Sequence, residues 1–242
     1  METDNINNKR VIMIGGVEKF SVVDYPGKLA AVVFMQGCPW RCPFCYNTYL
    51  QEAKGETNVV WGKFLEFLEI RKELLNAIVF SGGEPLMQPA LETAVKEVVA
   101  IKGYAIGLHT GGYRSDILER ILPHISWIGF DIKAPFDVDK YKKAIGRDID
   151  FLPEVQKSLS LIINSGIDFE CRTTCDPKIL TIEDIYEIAR TLKDMGVKKY
   201  FLQMYRPIEG DHTPISECEK FFQDQELEAF LRASFSEFDF RK

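Results

Sequence analysis

Three cysteines lie close together near the start of the chain. Cys38, Cys42 and Cys45 follow an apolar segment, residues 30–35, that has the length of a buried strand. Thiolates are common metal ligands, and iron–sulfur clusters are normally held by four of them. A compact set of three therefore favours a four-iron cluster in which one iron has no protein ligand. Such an iron can bind a small molecule.

Zinc and a disulfide are the alternative interpretations of these cysteines. Structural zinc sites usually combine two ligand pairs, and no second Cys-x2-Cys or His pair follows in this chain. The remaining cysteines, Cys171, Cys175 and Cys218, are scattered, and isolated cysteines are commonly small buried apolar residues. The spacing favours a cluster over zinc, and a disulfide is the least favoured of the three.

Length and composition indicate one large domain. The chain has 242 residues, of which 46% are hydrophobic, and α/β domains of this size are common. A net charge of -6 argues against a nucleic-acid partner, and no apolar run is long enough to span a bilayer. We expect a soluble cytoplasmic protein that binds neither nucleic acid nor membrane. Residues 1–242 are predicted as one domain, with a core at about 29–207, an N-terminal extension at 1–28 and a C-terminal helical cover at 208–242.

Short apolar segments alternate with amphipathic segments along the chain. Strands are predicted at 29–35, 77–80, 104–108, 127–130, 167–171 and 199–204. Helical spacing of apolar residues lies between them, with Thr181 as a predicted N-cap and Gly103, Gly166 and Gly196 as predicted ends. This pattern predicts an α/β fold, a parallel β/α partial barrel with six strand-helix units.

Polar residues follow every predicted strand. In parallel β/α barrels the active site lies at the carboxyl ends of the strands, so these residues are expected at one rim. Each of them alone could be a turn or a solvated charge, but together they suggest a binding site. They are the three cysteines, Ser81, Gly82, Gly83, Glu84, His109, Thr110, Asp131, Lys133, Arg172 and Gln203.

The residue types at this rim suit a zwitterionic amino-acid group. Gly82 and Gly83 would let the backbone approach a ligand closely, and Glu84 could hold an ammonium group. Lys133 and Arg172 could hold a carboxylate. An amino acid could also chelate the spare iron through its amine and carboxylate.

At this level of detail the chain resembles the radical S-adenosylmethionine (SAM) superfamily. The resemblance lies in the spacing of the three cysteines, in Phe44 before the last of them, and in Gly82-Gly83-Glu84-Pro85. More closely, residues 15–29, which contain Asp24-Tyr25-Pro26-Gly27, resemble the activating proteins of anaerobic (class III) ribonucleoside-triphosphate reductases. The similarity continues through residues 107–112, 127–135 and 172–174 and covers about 15–207.

The resemblance implies a role for each matching position. Cys38, Cys42 and Cys45 would ligate one [4Fe-4S] cluster, residues 82–84 would receive the methionyl amine of S-adenosylmethionine, and Lys133 would join the cysteines as a catalytic residue. The remaining implied cofactor contacts are Phe44, Asn47, His109, Thr110, Asp131, Lys133 and Arg172.

The resemblance also implies a reaction. In the family the reduced cluster passes one electron to the sulfonium, which gives methionine and a 5'-deoxyadenosyl radical, and this radical takes hydrogen from a glycine Cα of a partner enzyme. The expected partners are the glycyl-radical subunit of an anaerobic ribonucleoside-triphosphate reductase and a low-potential electron donor such as flavodoxin or ferredoxin. The open alternatives are activation of another glycyl-radical enzyme of the formate-lyase type, a radical SAM enzyme acting on a small organic molecule, and a non-enzymatic electron carrier or zinc module.

Some positions depart from related proteins. The family usually has histidine after the last cluster cysteine, where this chain has Tyr46. Formate-lyase activators often have Asp-Gly-Pro-Gly in place of residues 24–27 and Asp-Thr-Asn-Gly in place of residues 109–112, and both differences favour the reductase branch. No cysteine lies between Cys45 and Ser81, so a single cluster is predicted.

Overall fold

The computed structural model describes residues 12–54 and 59–242. In this part of the chain one sheet of eight strands forms the centre, and the order of the strands in space follows their order in the sequence. The first strand is antiparallel to the second, and each later pair of neighbours is parallel. The strands are β1 (Ile14–Ser21), β2 (Ala30–Met35), β3 (Ala77–Gly82), β4 (Ala105–Thr110), β5 (Trp127–Asp131), β6 (Asp168–Cys175), β7 (Lys199–Met204) and β8 (Glu237–Arg241).

The predicted partial barrel of six parallel strands is confirmed by β2 to β7. The bounds of β7 agree with the prediction, whereas β3, β4 and β6 continue two to four residues further toward the site. The sheet does not close, because β1 and β8 remain at its two edges.

Helices connect the parallel strands, as crossover connections require. They are α1 (Trp61–Arg71), α2 (Leu91–Ile101), α3 (Ser115–Ile121), α4 (Val138–Ile145), α5 (Leu152–Ser165), α6 (Ile182–Asp194), α7 (Ile215–Gln223) and α8 (Gln225–Ser234). Thr181 caps α6 through a capping box with Asp184, and Gly166 ends α5 in a left-handed conformation, as predicted. None of the helices in the described ranges is long and apolar enough to traverse a membrane.

The two ends of the chain differ from the prediction. The predicted extension at 1–28 contains β1, while its first eleven residues lie outside the described residues. The predicted helical cover at 208–242 contains two helices, α7 and α8, because Asp224 leaves helical geometry between them and caps α8 through the Leu227 amide. Its last residues form β8, so the C-terminal prediction was wrong there.

The face of the sheet toward the barrel interior has an apolar half and a charged half. Tyr25 and Trp127 pack together with small residues of β2 and β3, with ring centroids 5.3 Å apart. In the charged half, Arg241 of β8 binds both carboxylate oxygens of Glu170 on β6, and the Arg241 guanidinium lies over the Phe201 ring of β7. This pairing attaches the last strand to a strand two positions away.

Candidate active site

A cavity of about 940 Å³ lies at the carboxyl ends of the parallel strands. Every residue predicted for the site lines it, so the structure brings together side chains from five strand ends and from the cysteine loop (residues 37–51). The predicted residues in its wall are Cys38, Cys42, Phe44, Cys45, Asn47, Ser81, Gly82, Gly83, Glu84, His109, Thr110, Asp131, Lys133, Arg172 and Gln203.

Backbone hydrogen bonds hold the cysteine loop at the cavity. The Cys38 amide donates to the Gln51 carbonyl at 3.1 Å, and the Arg41 amide donates to the Ile145 carbonyl at the end of α4, at 2.7 Å. The Arg41 side chain turns back to the Cys38 carbonyl at 2.9 Å. Contacts outside the thiols therefore hold the first part of the loop, around Cys38 and Arg41, at the cavity.

The thiols are suited to a cluster and are unpaired. All three cysteines of the loop are free and partly exposed to the cavity. Burial raises the pKa of Cys38 to about 12 and that of Cys42 to about 11, so both are neutral thiols when nothing binds. Bound iron favours the thiolate form of its ligands. Three soft sulfur donors in one cavity wall thus fit a [4Fe-4S] cluster with an open iron.

In the described ranges no three His, Cys, Asp or Glu side chains are grouped so as to hold a single metal ion. A cluster is larger than an ion, and its ligands need not converge on one point. The fit of the thiols therefore rests on their chemistry and on their place in the cavity wall.

The two glycines at the end of β3, Gly82 and Gly83, are required by contacts within the protein. A Cβ on Gly83 would lie 2.2 Å from the Gly37 carbonyl oxygen, and a Cβ on Gly82 would lie 2.3 Å from the Met35 amide nitrogen. Gly82 also has a φ of 108°, which favours glycine. The two glycines were expected to let the backbone approach a ligand closely. On the side where a Cβ would lie, they instead let it approach β2 and the cysteine loop.

Glu84 is a buried acceptor for the end of β4. Its carboxylate accepts hydrogen bonds from the Thr110 hydroxyl at 2.6 Å, the Gly111 amide at 2.9 Å and the Leu86 amide at 3.0 Å. Burial raises the pKa of Glu84, although these donors oppose the shift. The side chain expected to hold an ammonium group is thus occupied mainly with the protein.

His109 joins β4 to the segment before β2. Its Nε2 lies 2.9 Å from the Asp24 carbonyl oxygen, and its Nδ1 lies 3.3 Å from the Ser81 hydroxyl. Because a carbonyl can only accept, Nε2 holds the proton and Nδ1 accepts from Ser81. Burial, reinforced by the positive charge of Arg172, lowers the pKa of His109 to about 3. The imidazole is neutral and positions Asp24-Tyr25-Pro26-Gly27 beside the cavity.

Asp131 is paired with two cations. Arg172 binds one of its oxygens through Nε at 3.0 Å and Nη2 at 2.8 Å, and the Lys133 ammonium is 3.8 Å from the other oxygen. Burial alone would raise the pKa of Asp131, but Arg172 and Lys133 outweigh it and lower the pKa. Two cations thus share one carboxylate, which leaves positive charge for an anionic group of a ligand.

Lys133 also connects this group to the cysteine loop. Its ammonium lies 5.2 Å from the Trp40 ring centroid and 6.0 Å from the Phe44 ring centroid. Burial would lower the pKa of Lys133, but the negative charges of Asp131 and of Cys42 in its thiolate form, the form in which it binds iron, outweigh burial and raise it. Lys133 therefore remains charged between the proposed cluster ligands and Asp131.

Several cavity residues were not predicted as site residues. Asp24, Arg206 and Arg241 line the cavity. Asp24 belongs to the segment 24–27, which carried the resemblance to the family. Arg206 follows β7, so it could have been found by inspecting the residues after each strand's carboxyl end. Arg241 required recognition of β8. The remaining cysteines, Cys171, Cys175 and Cys218, are fully buried in the hydrophobic core, as expected.

Comparisons with known proteins identify the class to which this fold and site belong. The family model described as the radical SAM superfamily matches residues 32–175. The solved structure of Streptococcus suis SuiB bound to S-adenosylmethionine aligns with a TM-score of 0.65 at 13% identity, over 86% of this chain and 48% of SuiB. The chain spans about half the length of that protein, and the likeness shows the fold. The chain belongs to the radical SAM superfamily.

Curated relatives narrow the class further. A Methanocaldococcus jannaschii protein named for glycyl-radical enzyme activation is 31% identical over 204 residues, which cover 81% of this chain and 80% of the relative. The pyruvate formate-lyase-activating enzyme of Clostridium pasteurianum is 30% identical over 211 residues, which cover 81% and 82%. The chain is a radical SAM enzyme of the glycyl-radical-activating type, and its cofactors are a [4Fe-4S] cluster and S-adenosylmethionine.

Proposed function

We propose that this enzyme generates a glycyl radical on an anaerobic ribonucleoside-triphosphate reductase. The single observation that supports activation best is the cavity in which three free thiols share a wall with the Asp131, Lys133 and Arg172 group. A cluster bound there with S-adenosylmethionine supplies a radical that abstracts hydrogen. A flavodoxin or ferredoxin is the proposed electron donor.

The residues of this chain have separate tasks in the proposal. Cys38, Cys42 and Cys45 hold the cluster. The unneutralised charge of Lys133 and Arg172 binds the methionyl carboxylate, because charge-assisted hydrogen bonds are stronger than neutral ones.

The methionyl amine is assigned to the backbone at residues 82–84. Glu84 acts mainly on the protein side, where it fixes Thr110 and Gly111 at the cavity wall. Phe44, Asn47 and His109 complete the wall.

The choice of reductase rests on a contact between two distinguishing segments. His109 replaces an aspartate that formate-lyase activators often have, and Tyr25 replaces a glycine. The His109 ring binds the Asp24 carbonyl, and Tyr25 packs beside it on Trp127, which the His109 ring also meets edge-on at 5.4 Å. The two departures therefore form one structural unit beside the cavity, which supports a common specialisation.

Activation of a formate-lyase type enzyme is the second candidate. It is favoured by the 30% identity with the activating enzyme of Clostridium pasteurianum. Both candidates use the same cavity and differ in the polypeptide that must reach it.

Electron-spin resonance on anaerobic mixtures tests the proposal. The protein, reconstituted with iron and sulfide, is combined with reductant and S-adenosylmethionine and then with either a class III reductase or pyruvate formate-lyase. The expected result is a glycine-centred doublet with the reductase and a much weaker signal with the lyase. Variants of each partner with Gly→Ala at the radical position serve as controls and should give no doublet.

Three outcomes separate the candidates. A doublet only with the lyase would select the second candidate. Production of methionine and 5'-deoxyadenosine without a doublet on either partner would refute both and point to a small-molecule substrate. Absence of S-adenosylmethionine cleavage in protein with full iron content would contradict the assigned site.

A further inference from the structure

Tyr46 joins the cysteine loop to the loop between β7 and α7. It directly follows Cys45, and its hydroxyl accepts a hydrogen bond from the Arg206 amide at 2.8 Å. Its ring stacks on Tyr205, with centroids 6.1 Å apart and planes inclined by 26°. We refer to residues 205–214 as the rim loop.

The rim loop is anchored a second time at its other end. Asp211 accepts hydrogen bonds from the Tyr205 hydroxyl and from the Lys178 ammonium, and it also accepts from the Thr213 amide at 3.0 Å. The Lys178 ammonium lies over the Tyr205 ring at 5.5 Å. The loop thus has an internal anchor at Asp211 and one hydrogen bond to the cysteine loop through Tyr46.

The two anchors connect the rim loop to different parts of the protein. The Asp211 anchor connects the rim loop to residues that follow β6, whereas Tyr46 is adjacent to a proposed cluster ligand. Arg206, whose amide donates the hydrogen bond to the Tyr46 hydroxyl, lines the cavity. A change in the position of Cys45 therefore reaches the cavity rim through one covalent step and one hydrogen bond.

We propose that Tyr46 is a positioning residue that couples cluster occupancy to the order of the rim loop. Ligation fixes Cys45, which fixes the Tyr46 ring on Tyr205 and holds the Arg206 amide in its hydrogen bond. The rim loop is then held more firmly in protein that contains the cluster than in protein without it. This inference rests on Cys45 being a ligand, as proposed above, and is independent of which partner is activated.

Amide hydrogen exchange at Arg206 measures this coupling directly. In wild-type protein the Arg206 amide is expected to exchange at least twofold more slowly with the cluster loaded than without it. In Tyr46→Phe the ring stack remains but the acceptor is lost. The Arg206 amide of the loaded protein should then exchange roughly twofold to tenfold faster, the range that one net hydrogen bond provides. The dependence on loading should largely disappear.

Two further variants act as controls. Tyr49→Phe removes the hydroxyl of another exposed tyrosine in the same loop. That hydroxyl makes no hydrogen bond with the described residues, so the change should leave exchange at Arg206 unchanged. Asp211→Asn weakens the other anchor. It should speed exchange in both loaded and empty protein while the ratio between them persists.

Equal Arg206 exchange in loaded and empty wild-type protein would refute the coupling even if no variant could be purified. A ratio that persists in Tyr46→Phe would assign the coupling to another contact. Iron content is measured on each sample, so failure of the cysteines to bind a cluster would be recognised separately.

Discussion

Replacement of Glu84 by glutamine tests whether this residue acts on the protein or on the ligand. Its two carboxylate oxygens accept hydrogen bonds from Thr110, Gly111 and Leu86, all within 3.0 Å, and the residue is 1% exposed. In Glu84→Gln one oxygen is replaced by an amide NH2, which cannot accept. The variant can satisfy Leu86 and Thr110 through the remaining oxygen, but the Gly111 amide then faces a donor.

The magnitude follows from this one unsatisfied group. A buried donor without an acceptor costs about 1–3 kcal/mol. Glutamine is neutral and avoids the desolvation that raises the pKa of Glu84, which offsets part of this cost. We expect a net loss of about 1–2 kcal/mol, which lowers the melting temperature by about 2–8 °C for a chain of this size.

Thermal unfolding of the anaerobic, cluster-loaded protein is the assay, with isothermal titration of S-adenosylmethionine on the same samples. Glu209→Gln is the matched control, because Glu209 is exposed and its side chain makes no hydrogen bond or ion pair with the described residues. Its melting temperature should change by less than about 2 °C, since surface changes usually stay within about 0.5 kcal/mol. A Glu84→Gln variant that melts like wild type but no longer binds S-adenosylmethionine would refute the reasoning, because Glu84 would then act through the ligand.

Three further perturbations have defined outcomes. The pKa of His109 is about 3 in the folded protein, against an ordinary value of 6.5, so its contribution to stability is complete above pH 6.5 and is lost as the pH falls. Between pH 7.5 and 5.5 the loss should be about 1.4 kcal/mol in urea unfolding, and His109→Gln should remove that part of the slope. Arg172→Lys keeps the charge but cannot contact Asp131 through two nitrogens at once. We therefore expect the Kd of S-adenosylmethionine, measured by equilibrium dialysis, to rise by roughly tenfold, about 1.4 kcal/mol. An unchanged Kd would argue against a place for Arg172 in the site. Cys171→Ala and Cys175→Ala alter side chains buried away from the cavity, so iron per chain should stay at the wild-type value, and a loss of iron in otherwise folded protein would make them ligands.

The part of the site that could be predicted from sequence is the part that depends on strand ends. Parallel strands place their carboxyl ends at one edge, so once β2 to β7 were recognised, residues such as Asp131 and Arg172 had to converge. The thiols were predicted because three cysteines in a short loop have few alternative uses. Both inferences depend only on local pattern and on a general property of the fold.

The parts that were not predicted depend on contacts between distant residues. The His109 to Asp24 hydrogen bond joins residues 85 positions apart, and no local pattern indicates which carbonyl the ring meets. The Cβ side of Gly83 faces the Gly37 carbonyl rather than a ligand, a distinction that requires the packed loop. The alternation of Phe238 and Phe240 with charged residues does indicate β8, but two helices precede it and the helical pattern was extended over it.

The agreement between strand order in space and strand order in the chain has a consequence for biogenesis. Each strand finds its hydrogen-bonding neighbour in the segment made just before it, so a nascent polypeptide can add strands one after another without waiting for a distant partner. The ion pair between Arg241 and Glu170 can form only after β8, the last strand to be added, has been made. During synthesis the cysteines emerge before Arg241 and Lys242, which line the same cavity, so the cavity wall is complete only after β8 has been made.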